Sequence, residues 1–325
     1  MKKRIVGCAL VLASIAATCF AQAPVGVSQP AGWGALGQAF DFSSARSVSD
    51  QYFTMETRMV THGPDGRAVD TTTLRTRLRC EPGAGAPGDR YTCLRFTFQR
   101  GEGPETAIPS LAGWQYVFTH RPGEKDEKGQ TLGIDHAPFE KLVDERGVAV
   151  PAGIAYLVYN VFIDFHSFQA FTDPTPAGGG IQDLTRIGQK VVHAASHSRP
   201  STDLGSAVAN GSYFENGEVT LELKGVSLER GKACAVVGYD SGASSFVMLV
   251  KPMPDLEVRT TGSSHYWGDI YKDLDTAWIR RASLTELVVS ETLVPGQKPL
   301  DAVTERAIQV LNVPRETALA ARSAR

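Results

Sequence analysis

Large apolar and polar residues alternate along QYFTMETRMV from Gln51, HGPDG supplies turn chemistry, and AVDTTTLRTRLRC alternates again. YTCLRFTFQR and then GWQYVFTH from Gly113 repeat the pattern. Period-two patterning, rich in Thr, Val and aromatics and broken by Gly, Pro and Asp, predicts a meander of antiparallel strands. The middle of the chain changes period. Asp135 is placed to cap a short helix through HAPFEKLVDE that Gly147 ends. PAGIAYLVYNVFIDFHSFQAF follows, with Ile154, Leu157, Val158, Val161, Phe165 and Phe168 at helical spacing. Tyr156, Tyr159, Phe162 and Ile163 occupy the other sides, so a helix over 152–171 is apolar nearly all round and must be buried on most sides. DPTPAGGG ends it.

Strand patterning returns in GQKVVHAAS, GEVTLELKGVSL, KACAVVGYDS, SSFVMLVKP and DLEVRTTG. After Pro295, the spacing of Leu300, Val303, Ala307, Val310 and Leu311 predicts a short amphipathic helix that Pro314 ends, with ARSAR as a disordered tail. The expected fold is α+β: a large, curved, half-barrel-like antiparallel sheet packed on a buried central helix, with a short C-terminal helix. Residues 1–21 read as a signal peptide, 22–50 as a flexible lead-in, 51–294 as one β-rich domain, and 295–325 as the C-terminal helix and tail.

The stretch GSSHYWGDIYKDLDTAWIRRASLTELVV, residues 262–289, crowds a histidine, aromatics and carboxylates together. In strand form His265, Trp267, Asp269 and Tyr271 share one face, and Tyr266, Gly268, Ile270 and Lys272 the other. Asp273, Asp275 and Thr276 form the turn, and Trp278, Arg280, Ala282 and Leu284 alternate with Ile279, Arg281 and Ser283 on the return strand. His265 and Asp269 would lie roughly 13 Å apart along a strand, too far for a direct acid–base dyad. A hairpin explains the crowding, and His265, Trp267 and Tyr271 make a candidate binding surface. YKDLDTAWIRR also resembles the repeated hairpins of periplasmic lipoprotein carriers and related half-barrel proteins. That resemblance implies an antiparallel sheet wrapped around helices, with acyl chains sheltered between them. It transfers no functional residue, and it departs at Ala277, where such a turn carries Gly for a left-handed backbone.

The chain's start, MKKRIVGCALVLASIAATCFAQAP, has the basic head, apolar run and small-residue end of a secretory signal, with cleavage expected after Ala21. Loss of that segment takes the net charge from −2 to −5. A mildly acidic chain without a basic run lacks the electrostatic footprint of a nucleic-acid binder. In an oxidising compartment Cys80 and Cys93, flanking a glycine-rich connection, are expected to close a disulfide contributing about 3 kcal/mol. Cys234, in KACAVVGY, reads as an inert core thiol.

Other chemistry is sparse. His193 and His197 are four apart, a metal spacing only on a helix, and no third ligand is apparent. Asp164 and His166 lie within the apolar helix, so Asp164 either reaches water or gives polar specificity to a mostly apolar cavity. Neither a G-x-S-x-G elbow, a P-loop nor H-E-x-x-H occurs, and Asn210 carries a glycosylation sequon that the bacterial-type signal leaves without meaning. The sequence therefore suggests a secreted or periplasmic non-enzymatic protein, without a cofactor, holding a hydrophobic or lipid-like ligand between sheet and helix. Tyr156, Tyr159, Phe162, Asp164 and Phe168 are its candidate contacts. A cell-envelope interaction module using Trp267, Tyr271 and Trp278, and a metal-assisted hydrolase around His193 and His197, are the alternatives.

Overall fold

The computed structural model describes residues 39–85, 88–119, 134–135, 137–175, 178–199, 211–253 and 256–320. The expected signal peptide, the lead-in up to residue 38, Asn210 and the ARSAR tail lie outside them. Among the described residues thirteen strands form one open antiparallel sheet. They are β1 (Gln51–His62), β2 (Ala68–Gly85), β3 (Gly88–Arg100), β4 (Thr106–Ala107), β5 (Gln115–Phe118), β6 (Lys190–Val192) and β7 (Tyr213–Glu215). Then follow β8 (Thr220–Glu229), β9 (Lys232–Asp240), β10 (Ser244–Met253), β11 (Leu256–Asp273), β12 (Ile279–Leu293) and β13 (Leu300–Asn312). The order is β4-β3-β2-β1-β13-β12-β11-β9-β8-β6; β5 pairs with β3, and β10 joins β11 to β7.

The apolar segment is the long helix α1 (Ala152–Thr172). One side packs on the sheet: Phe165 meets Phe53 of β1 edge-on at 5.1 Å, and Phe162 stacks on Phe96 of β3 at 5.8 Å. Phe162 also meets Trp114, Tyr116 and Phe139, Tyr159 meets Phe139, and Phe171 packs against His193. Contacts of this kind along its length go with a surface that is apolar nearly all round, interrupted at Asn160 and Asp164. We call the face of the sheet that carries α1 the inner face.

Three expectations change. Residues 300–312 are not a helix but the strand β13, laid between β1 and β12 and paired along its length with both. Backbone pairing on two sides outweighs the helical spacing of its apolar residues. The domain therefore runs past residue 294, and the short C-terminal helix is α2 (Arg315–Leu319), after Pro314 instead of before it. Near Asp135 there is only a three-residue 3-10 turn at 137–139; Asp135 accepts from the Ala137 amide, and Val143 then bridges to Ala149 as extended chain. Finally, residues 39–50 are not loose. Phe42 is buried in the core, the Phe40 amide donates to Thr185 O, and Arg46 lies 4.3 Å over the Trp278 ring while reaching Asp89 at 2.9 Å and Asp173 at 3.6 Å.

The hairpin has the expected alternation. Ser264, Tyr266, Gly268, Ile270 and Lys272 face inward, with Ala282, Leu284 and Glu286 opposite them on β12. Ala277 sits in the turn with φ +58°, the left-handed position where the sequence has a methyl group instead of glycine. Gly268 has a different reason. A Cβ there would lie 1.9 Å from Ser283 O and 2.7 Å from the Tyr239 hydroxyl, which crosses this point to donate to Ser283 O at 2.7 Å.

Candidate functional site

Period two places Arg306 of β13, Glu286 of β12 and Tyr266 of β11 in one row across the inner face, since Glu286 pairs with both Arg306 and Tyr266. Helical spacing carries Asp164 over this row, with Asn160 and Tyr156 on the same side of α1. Arg306 joins the two elements. Its Nη1 is 2.5 Å from Asp164 Oδ2, and its Nε is 2.5 Å from Glu286 Oε2. The Ser264 hydroxyl donates to Glu286 Oε1, and the Tyr266 hydroxyl to Asn216 Oδ1 at 2.9 Å. The result is an ion-paired network in the interior, two carboxylates sharing one guanidinium.

Burial governs its electrostatics. It pushes the Asp164 carboxyl up to about 6; Arg306 pulls the other way and Glu286 adds to the rise. Arg306 is held above the usual guanidinium range because the attraction of Asp164 and Glu286 exceeds the cost of burial. Burial likewise raises the phenols of Tyr156, Tyr239 and Tyr266. The network anchors α1 to the sheet, and Asp164 can exchange a proton near neutral pH.

This row also divides the inner face. On the side of the β11–β12 turn the sheet is sealed: Ile270, Ala282, Leu284, Ile308 and Val310 are buried. Beyond Arg306 most of the inward side chains are only half-buried, and apart from the paired Asp70 and Arg100 they are hydroxylic or apolar; Ser244 and Ser264 among them are buried. The half-buried ones include Thr304 and Ala302 of β13, Val288 and Ser290 of β12, and Phe246 and Met248 of β10, with Met59 of β1 level with Arg306. Thr260 and Thr292 touch at 2.9 Å within this half. A separate open groove of about 540 Å³ lies at the distal strand ends, between His62, Pro64, Val289, Val303 and Glu305, away from α1.

Of the residues singled out from sequence, Tyr156 and Asp164 belong to the network. Tyr159, Phe162 and Phe168 are buried among other side chains, Phe162 between Phe96, Trp114, Tyr116 and Phe139. Trp267 and Tyr271 lie on the opposite face of the sheet from α1, and Trp278 is fully internal. Arg281 covers the Tyr271 ring at 4.0 Å. His265 does find a carboxylate, but across strands: its Nε2 is 3.0 Å from Asp240 Oδ1, while Asp269 pairs with Lys224 at 2.6 Å. Asp240, Arg306 and Glu286 were not visible as partners in the sequence, because each lies in a strand remote from the residue it binds.

The expected disulfide is not formed. Cys80 and Cys93 are buried free thiols, Cys80 opposite Tyr91 and Cys93 opposite Leu78, a diagonal relation that sets backbones further apart than a disulfide spans. Burial pushes both thiols up to about 12. Cys234 is also buried and free. His193 and His197 do not lie on a helix: His193 is buried with its Nδ1 accepting from the Ala195 amide, and His197 occupies a turn at φ +56°. Among the described residues no group of three His, Cys, Asp or Glu side chains is placed to hold a metal ion.

No family model and no curated protein matches the chain. Among solved structures, a lipovitellin chain studied for lipid–protein interactions is similar at a TM-score of 0.34 and 12% identity, over 85% of this chain and 26% of that one. This chain thus spans about a quarter of the lipovitellin chain. Salmonella typhi OmpF in complex with daunomycin is similar at 0.21, with 8% identity over 84% of this chain and 100% of that one. A mutant Rh. blastica porin is similar at 0.22, with 6% identity over 82% and 100%. Superpositions this loose carry no functional inference, so the resemblance to lipoprotein carriers rests on one hairpin and the order of strands and helix.

Proposed function

We propose that this is an exported, non-enzymatic binding protein that shelters an apolar or lipid-like small molecule on the inner face of its sheet, beside α1. The supporting observation is the change along that face at Arg306. On one side of it, close packing fills the space under the helix. On the other, Phe246, Met248 and Val288 remain half-buried among threonines and serines, and so do Met59 and Tyr266 in the row itself and Tyr156 on α1. A half-buried face with that composition suits a ligand with a long apolar part and few polar groups. In this reading the sheet bends around α1 as a half-barrel, and Tyr159, Phe162 and Phe168 form the floor under the site instead of its lining.

Native mass spectrometry of protein isolated from its own periplasm tests both parts. The expected spectrum shows a mature chain beginning at Gln22, with a retained apolar small molecule. A Val288→Glu variant should lose that molecule while keeping the fold. A ligand-free wild-type protein that also fails to take up a fluorescent fatty acid would refute the binding reading. Recovery of the uncleaved chain from the cytoplasm would refute export.

A further inference from the structure

A guest with one polar end must seat that end somewhere, and next to the half-buried inner face lies a cluster with an unbalanced charge. Asp164 and Glu286 share a single guanidinium, so with both ionised the Asp164–Arg306–Glu286 cluster carries one uncompensated negative charge. Among the described residues, the groups facing it from the surrounding elements do not correct this. Tyr156 comes from α1, Tyr239 from β9 and Tyr266 from β11, all phenols that burial keeps protonated. Met59 of β1 lies opposite Arg306; of the other charged groups on that face among the described residues, Asp70 and Arg100 are paired at 3.4 Å, and the buried Lys272, at the far end of β11, donates to Thr172 O at 2.6 Å. Two positions along β1 from Met59, opposite Ile308 on the sealed side, Thr57 is 2% exposed and its hydroxyl has no hydrogen-bond partner among the described residues.

We infer, resting on the binding function proposed above, that the inner face selects an amphiphile with a cationic head, such as an alkylammonium, seated against Asp164 and Glu286 between the rings of Tyr156 and Tyr266. Aromatic faces and carboxylates together favour an ammonium over a neutral or anionic head. An anionic head would meet the same carboxylates and be repelled. Protonation of Asp164 removes the charge excess, so cation and proton compete: the burial that raises the Asp164 carboxyl to about 6 makes the head-group preference fade as pH falls through that value.

Titration calorimetry of the mature protein with dodecyltrimethylammonium, dodecyl maltoside and dodecyl sulfate, each below its micellar concentration, tests this. At pH 7.5 the cationic probe is expected to bind at least tenfold more tightly than the neutral one, with the sulfate weakest. Asp164→Asn, and independently Glu286→Gln, should cut that advantage to less than threefold, as should a shift to pH 5; circular dichroism checks that each variant is folded. Equal affinity for cationic and neutral probes, or a cation preference unchanged in both variants, overturns the inference and leaves the apolar site standing. If none of the three probes binds, the proposed function fails, and the inference with it.

Discussion

Replacing Arg306 by Met keeps a long side chain of similar bulk but leaves Asp164 and Glu286 in the interior without their shared counter-charge. The side chains of Asp164, Glu286 and Arg306 are 14%, 7% and 17% exposed, so water can screen little of the loss. Removing one partner of a buried ion pair costs about 3–5 kcal/mol. The pH dependence separates this from a packing defect. Asp164 titrates higher in the folded protein, at about 6, than its ordinary 3.8. A raised carboxyl contributes stability that is complete below pH 3.8 and lost as pH rises through the folded value, here about 3 kcal/mol. In the wild type that loss is finished just above pH 6. In Arg306→Met the folded carboxyl titrates higher still, so the loss continues above pH 6. Urea unfolding followed by the fluorescence of buried Trp278 at pH 5, 6, 7 and 8 is therefore expected to show a modest gap at pH 5. It should widen to about 4 kcal/mol by pH 8. A gap below about 1 kcal/mol at pH 8, or one constant from pH 5 to 8, would refute the network as the bond between α1 and the sheet.

Gly268→Ala should destabilise by about 3 kcal/mol or more, because the added methyl meets a backbone carbonyl that the β11–β12 ladder holds in place; an unchanged thermal midpoint would contradict this. Ala277→Gly should stabilise by about 0.5–1 kcal/mol, relief of left-handed strain exceeding the extra flexibility of the unfolded chain. A lower midpoint in the same melt would count against that geometry. Cys80 and Cys93 should resist iodoacetamide in the folded protein and take one adduct each after unfolding without reductant. A mass lower by two hydrogens and no labelling would instead reveal a disulfide.

Some of this was legible in the sequence. α1 could be read because its apolar positions needed no distant information, only a helical period and a scarcity of polar residues. The β11–β12 hairpin was as clear, down to the strained Ala277. β13 was misread for a physical reason. Its inward side chains are Ala302, Thr304, Arg306, Ile308 and Val310. An arginine and a threonine at inward positions erase the apolar alternation that marks a half-buried strand, leaving a chance helical spacing to dominate. The network that anchors Arg306 was equally hidden, because Asp164 is 142 residues away and Glu286 twenty. Residues 39–50 looked loose through their Gly, Ala and Ser content, whereas Arg46 alone ties them to β3, the end of α1 and Trp278.

The position of β13 has a kinetic corollary. The sheet's middle is sewn from the first described strand and the last, Phe53 meeting Asn312 across some two hundred and sixty residues of intervening chain. A polypeptide emerging amino end first can raise the β1–β3 meander early and the β11–β12 hairpin only near the end, and the meander must wait with a bare edge until its final strand arrives. Contacts so far apart along the chain make for slow closure, and a nascent product stopped short of residue 300 would be two sticky ribbons, prime targets for holdase capture or clumping.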